Sequence, residues 1–186
     1  AFEARKISQS TKIFDRTGQI LLYDIHNDAK RTLIAFEDIS KNIKSATIAI
    51  EDTEFYQHIG IKPSAIVRAI LADIKPGPGL KQGGSTITQQ VIKNSILTKD
   101  QTITRKLKEW ILAIKLEKVL TKDQILNTYL NEAPYGGSIY GVEEASKTFF
   151  GKSAKDVTLA EAAYLGAIPQ APTFYSPYGQ NKASLD

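Results

Sequence analysis

Thr102-Ile-Thr-Arg-Lys-Leu-Lys-Glu-Trp-Ile-Leu-Ala-Ile-Lys-Leu-Glu-Lys-Val-Leu-Thr121-Lys-Asp-Gln-Ile-Leu-Asn-Thr-Tyr-Leu130 decides the fold class. Thr102 or Thr104 opens a helix that runs through Leu116, with apolar residues at helical spacing. Thr121 caps a second helix through Leu130. Outward from this pair the same pattern recurs. Ile39, Ile43, Ala46 and Ile50 mark a helix before residue 51. Pro63 suits the first turn of another, with Ile66, Val67, Ile70, Leu71 and Ile74 as its buried stripe. Ser85 or Thr86 starts a helix with Gln89 three residues after Thr86, as in a capping box. Gly136-Gly137 breaks the chain, Ile139 to Phe150 is expected to be helical, Thr158 caps Leu159 to Ile168, and Pro169, Pro172 and Pro177 are expected to end the regular structure. Only Thr11 to Asp24 reads as strands, alternating apolar residues around a turn at Arg16-Thr17-Gly18. The fold class is mainly α with a small N-terminal β-hairpin.

The 186 residues suit one globular domain, residues 1–186, within which two lobes can form. Hydrophobic residues make up 42% and charged residues 24%, which excludes a disordered chain. A net charge of +4 leans mildly toward anionic partners. With no cysteine, disulfides, thiolate chemistry and cysteine-based zinc sites are excluded. No stretch approaches the roughly 20 apolar residues of a membrane span, so any anchor is expected outside this segment. Methionine is absent even at position 1, and the sequence reads as a segment cut from a longer chain.

Three constellations could carry chemistry. Glu51-Asp52-x-x-Phe55-Tyr56-x-His58-x-Gly60 directly follows the apolar run Ala46 to Ile50. A carboxylate beside an apolar helix end is partly desolvated and becomes a better base. The ordinary reading is an acidic helix end followed by a turn. His58 has only His26 as a companion, a pair without metal-ligand spacing. Gln82-Gly83-Gly84-Ser85-Thr86-Ile87-Thr88-Gln89-Gln90, with Lys93-Asn94 behind it, offers close backbone approach and exposed N–H groups for an anion. It is not a phosphate-binding P-loop, because Gly-Lys-Ser/Thr is missing. Arg105-Lys106-x-x-Glu109 sets a cation four residues before an anion, the poorer order for helix stability, which leans mildly toward a purpose beyond the helix; the ordinary reading is a solvated amphipathic face. Leu112 and Leu116 continue that face. Together these give two separated carboxylates, an anion cradle and several cations. Such a set suits attack on a sugar carbon bearing a phosphate leaving group. The cations neutralise the leaving group, one carboxylate takes the acceptor's proton, and direct displacement inverts the anomeric carbon.

These motifs, in this order, resemble glycosyltransferase family 51, the peptidoglycan glycosyltransferases, and above all that domain in class A penicillin-binding proteins. Tyr129-Leu130-Asn131 with Tyr140-Gly141 resembles a fourth family motif and Leu159-Ala-Glu161-Ala-Ala a fifth. The likeness runs from about Ile7 to the C-terminus. It implies a lysozyme-like bilobed fold with a membrane-associated jaw lobe, a hairpin region at residues 1–30, and a mobile flap and jaw region at residues 75–100. It implies polymerisation of lipid II into glycan strands in bacterial cell-wall synthesis, with release of undecaprenyl pyrophosphate. Glu51 is then the base for the acceptor 4-hydroxyl, and Glu109 the second catalytic carboxylate, orienting substrate or managing charge. Lys93, Arg105 and Lys106 hold the pyrophosphate. Gln82, Gly83, Gly84, Ser85, Thr86, Gln90 and Asn94 line the substrate cleft. Asp52, Phe55 and His58 belong to the same substrate-binding segment, where they hold Glu51 in place.

The family requires no cofactor, and a divalent cation, magnesium or manganese, could assist at the pyrophosphate. Partners are lipid II, the growing glycan strand and the membrane surface, with no nucleic acid; inhibitors of the moenomycin type are expected to bind. The place implied is the extracytoplasmic face of the plasma membrane, held by an N-terminal transmembrane helix outside this segment. Fusion to a transpeptidase domain is also implied, although no Ser-x-x-Lys motif occurs here. Two departures from the family pattern stand out: Ala133-Pro134-Tyr135 replaces an aromatic-glycine segment, and Pro76-Gly-Pro-Gly79 lies in the flap. The competing readings are a lysozyme-like hydrolase, which has little use for a pyrophosphate cradle, and a catalytically silent cell-wall or membrane-binding module.

Overall fold

The computed structural model describes residues 9–25, 29–62, 84–95 and 103–177. The expected helix after Pro63 and the glycine-proline loop, Gln82 and Gly83 included, lie outside them. In chain order come β1 (Thr11–Phe14), β2 (Leu21–Ile25), β3 (Lys30–Arg31), a 3-10 turn (Phe36–Asp38) and α1 (Lys41–Glu51). Next are α2 (Ile87–Ser95), α3 (Ile103–Leu116), α4 (Lys122–Glu132), β4 (Ile139–Tyr140) and α5 (Val142–Phe150). The described chain closes with α6 (Leu159–Ala167), a 3-10 turn (Ile168–Gln170) and α7 (Pro172–Tyr175). The architecture is mainly α.

The contacts divide the chain into two compact units, residues 47–129 and residues 1–46 with 130–186, so the boundaries fall inside α1 and α4. In the first unit α2 packs along α3. Its core comprises Phe55, Ile87, Val91, Ile92, Ala113, Leu116, Ile125 and Leu126. The second unit buries Ile39, Ile43, Leu130, Tyr135, Val142, Ala145, Ala162 and Leu165.

Local chemistry explains most helix starts. The Thr86 N–H donates to Gln89 Oε1 (2.8 Å) and the Gln89 N–H returns to Thr86 Oγ1 (3.1 Å), a reciprocal cap for α2. Thr121 and Gln124 do the same for α4, and Thr158 and Glu161 for α6. The Ser40 hydroxyl accepts the Asn42 N–H at the start of α1. In the hairpin, β1 and β2 pair antiparallel with an irregularity at Ile13/Phe14. The Asp15 carboxylate organises the turn, accepting from Thr17 Oγ1 and from the N–H groups of Gln19 and Ile20.

Two expectations need correction. Ile139 and Tyr140 are not helical: they form β4, paired parallel with β3 in the register Lys30↔Ile139 and Arg31↔Tyr140. The helix begins only after Gly141, whose φ is 80° and where a Cβ would meet the Asn131 carbonyl oxygen at 2.7 Å. A helix cannot pass through that conformation. Pro169 and Pro172 also do not end regular structure, whereas Pro177 follows the last described helix. Pro169 lies in the 3-10 turn and Pro172 opens α7, because a proline in a first turn loses no helical hydrogen bond.

Polar groups tie the second unit together. The Asn131 amide grips the backbone of Ile34 from both sides, accepting its N–H (3.0 Å) and donating to its carbonyl (3.1 Å). Glu143 accepts the Ala154 N–H (2.8 Å) and pairs with Lys147. Glu144, on α5, is 2% exposed and receives Lys12 of β1 (2.8 Å), Lys30 of β3 (3.1 Å) and the Thr32 hydroxyl (2.7 Å). Burial pushes its carboxyl up, but these donors outweigh burial and lower it to about 2. With the folded value below the unfolded one of 4.5, the stability is complete above pH 4.5 and drains away as pH falls toward 2. The shift is on the order of 3 kcal/mol. Glu144→Gln should cost about 2–4 kcal/mol at neutral pH, since it removes the buried charge on which Lys12, Lys30 and Thr32 converge. In denaturant titrations the gap between variant and wild type should narrow from pH 5 to pH 2; a constant gap would contradict the assignment.

Candidate functional site

Glu51 closes α1 and Asp52 follows it, so two neighbouring carboxylates leave the helix end in different surroundings. Asp52 is 1% exposed. Its Oδ2 receives His58 Nε2 at 2.8 Å and the Ile87 N–H at 3.1 Å, and Lys62 Nζ lies 2.7 Å from Oδ1. Burial raises its carboxyl, but the His58, Lys62 and Ile87 donors together outweigh burial and hold it below the ordinary range. Ile87 is the first residue of α2, so Asp52 also satisfies an orphan N–H of that helix.

His58 serves Asp52. The Gly60 N–H donates to its Nδ1 at 3.0 Å, which places the ring proton on Nε2, facing Asp52. The turn depends on Gly60, whose φ is 90° and where a Cβ would lie 2.9 Å from the Ala113 carbonyl oxygen of α3. The Gly60 carbonyl accepts the Thr86 hydroxyl at 2.6 Å. Phe55 is fully buried beneath the turn.

Three further residues complete this support, and the sequence reading passed over all of them. Glu117, just after α3, accepts the Thr88 hydroxyl (2.6 Å) and Lys122 Nζ (2.7 Å). Lys122 donates to the His58 carbonyl (2.6 Å) and stands over the Phe55 ring at 4.7 Å. Lys62 is the third. The missed signal lay outside the dense motifs: Glu117 and Lys122 have partners distant in sequence, Thr88 and His58, and Lys62 stands just beyond the first motif.

Glu51 itself is only half satisfied. Its Oε2 accepts the Gln90 amide at 2.5 Å, and its buried Oε1 has no partner among the described residues. Burial is the main cause that raises its carboxyl above 4.5; the Gln90 hydrogen bond opposes this and the Asp52 charge adds to it. An ionised, half-bonded carboxylate with a raised proton affinity is equipped to accept a proton. Gln90, Lys93 and Asn94 lie at i, i+3 and i+4, on one face of α2, with Lys93 and Asn94 exposed.

Glu109 of α3 is 1% exposed. Lys106 contacts its Oε1, and Arg105 Nη1 stands 4.0 Å from Oε2. Lys106 also donates to the Ser85 hydroxyl at 3.0 Å. The segment from Ser85 to Gln90 therefore connects both carboxylates: Ser85 meets the Lys106–Glu109 group, and Gln90 meets Glu51.

The structure thus gathers Glu51, Asp52, Phe55, His58, Ser85, Gln90, Arg105, Lys106 and Glu109 into one unit, with half-exposed Gly84 at the start of the connecting segment. Thr86, just before α2, faces inward. It is 1% exposed and its hydroxyl is committed to Gly60, because the capping role turns the side chain inward. No group of three His, Asp or Glu among the described residues could hold a metal ion, and no described helix is long and apolar enough to cross a membrane.

Residues 18–186 match the family model described as transglycosylase. The chain is 42% identical to penicillin-binding protein 1A of Clostridium tetani over 173 residues, 91% of this chain and 22% of the relative. It is 44% identical to penicillin-binding protein 1F of Bacillus subtilis over 168 residues, 90% of this chain and 23% of the relative. With penicillin-binding protein 1A of Aquifex aeolicus it shares 42% identity over 177 residues, 95% of this chain and 24% of the relative. The chain spans about a quarter of the length of these curated relatives. The matched residues take in every segment of the site just described, and the chain belongs to the transglycosylase family.

Proposed function

We propose that this chain is a peptidoglycan glycosyltransferase of lysozyme-like fold that polymerises lipid II into glycan strands, inverting the donor anomeric carbon and releasing undecaprenyl pyrophosphate. The observation that carries this reading is the Glu51 carboxylate: raised by burial, held by Gln90 through one oxygen, with the other buried and unpaired among the described residues. Glu51 takes the proton of the acceptor 4-hydroxyl as that oxygen bonds to the donor carbon and the bond to pyrophosphate breaks. Arg105 and Lys106 neutralise the charge that builds on the leaving group, and Lys93 adds a cation on the Gln90 face of α2. Glu109 holds Arg105 and Lys106 in register and manages their charge. A hydrolase acting on a neutral glycosidic bond gains nothing from that cluster.

Both oxygens of Glu109 face cations, so no step is routed through a metal there. A magnesium or manganese ion that assists would be carried by the pyrophosphate itself. The lipid tail and the bilayer call for an apolar surface beside positive charge. Leu107 and Ile111, exposed one turn apart on α3 beside exposed Lys108 and Lys115, suit that role. This reading places the protein at the extracytoplasmic face of the plasma membrane, joined to a transpeptidase as in a class A penicillin-binding protein and open to moenomycin-type inhibitors.

With labelled lipid II in detergent and products resolved by size, wild-type protein should give polymer and release undecaprenyl pyrophosphate. Glu51→Gln should lose roughly 10²-fold or more in kcat. Cleavage of preformed glycan without polymer would move the protein to the hydrolases. Because the base works ionised and its carboxyl is raised, kcat/KM should fall on the acid side along a limb centred above pH 4.5. A limb at or below the ordinary glutamate range would contradict the base assignment. Lys106→Met should lower kcat by roughly 10-fold or more while Glu51 continues to govern the acid limb, as expected for charge stabilisation in the transition state.

A further inference from the structure

Lys62 lies outside every motif, yet its Nζ is 2.7 Å from Asp52 Oδ1, the oxygen that His58 and the Ile87 N–H leave open. The lysine side chain is 17% exposed and the aspartate fully buried, so salt and water screen the pair poorly. Asp52 is bonded in sequence to the proposed base. Its negative charge makes a second negative charge on Glu51 harder to sustain, and a cation on Asp52 offsets that repulsion.

We propose that Lys62 is a positioning residue for Glu51, acting through Asp52: its ammonium balances the Asp52 carboxylate and so fixes the pH at which Glu51 can accept a proton. The inference rests on the reading of Glu51 as the base. Other charges surround the pair. His58 bonds Asp52 directly, Glu54 stands 3.7 Å from Lys62 in solvent, and Lys93 shares the Gln90 face of α2. Behind His58, Glu117 lies 3.9 Å and Lys122 3.5 Å from Nδ1. Glu117 and Lys122 largely cancel each other, and Glu54 is exposed. Among the described residues, Lys62 is therefore the lysine in direct contact with Asp52.

The test is the pH profile of lipid II polymerisation for wild type, Lys62→Met, Lys62→Arg and Glu51→Gln. Removing the ammonium should move the acid limb of kcat/KM upward by roughly half a unit to one unit. On the limb this reads as about a 3- to 10-fold loss. On the alkaline plateau, where Glu51 is ionised in both proteins, the rate should stay within about 2-fold of wild type. Lys62→Arg, which keeps the charge, should return the limb to its place. If Lys62→Met does not fold, Lys62→Gln carries the same comparison. A uniform loss at every pH, an unmoved limb, or a limb that Arg fails to restore would overturn the inference and leave Lys62 a structural residue. Full activity in Glu51→Gln would instead overturn the base assignment itself, so the two failures are distinguishable.

Discussion

Asp52 keeps a negative charge in a setting almost closed to water, and the turn after α1 and the start of α2 are organised around satisfying it. Burying a carboxylate costs several kcal/mol unless charge-assisted hydrogen bonds offset the lost hydration. His58, Lys62 and the Ile87 N–H meet that requirement from two separate chain segments. Two of the donors are fixed in turn: His58 by Gly60, itself held by the Thr86 hydroxyl and the close approach of α3, and Ile87 by the reciprocal Thr86–Gln89 cap. Loosening any of these links would leave a buried charge short of a partner, so the turn and the start of α2 hold one geometry.

That geometry separates two adjacent carboxylates into two tasks. Asp52 is given every donor and stays ionised as a structural anion. Glu51, one residue away, is given Gln90 alone and keeps an open oxygen. Their carboxyls are driven in opposite directions by environment, with burial winning at Glu51 and hydrogen bonding winning at Asp52. Opposed environments for paired acids are a recurring way to divide labour in acid–base catalysis. The Arg105–Lys106–Glu109 group shows the same logic with the signs reversed, since one buried carboxylate holds two cations in place.

The other unit applies the same physics to architecture. Glu144 gathers lysines from β1 and β3 onto α5, Asn131 clasps the backbone at Ile34, and Glu161 caps α6 while pairing with Lys152. Asn131 and Glu161 stand in segments that resemble family motifs, and both are committed to holding backbone. A family motif can therefore record a folding requirement as readily as a chemical one.

The sequence by itself determined most of the described helix starts, the hairpin and the dense motifs. A Thr86–Gln89 or Thr158–Glu161 cap needs only residues three apart, and apolar periodicity shows which face is buried. It also brought forward Glu51 and Glu109, because their motifs occur in the order of the family they resemble. Tertiary structure decided which polar residues face each other. It turned Thr86 inward, put a two-residue strand where a helix was expected, and brought Lys62, Glu117 and Lys122 to the Asp52–His58 support. The Ile139–Tyr140 strand follows from Gly141 pressing against the Asn131 backbone, a contact that helical spacing does not encode. The three support residues stayed hidden because their partners lie up to 64 residues away along the chain. Local propensity is written in neighbouring residues, whereas the pairing of a buried charge is fixed only when folding has removed the water that would otherwise satisfy it.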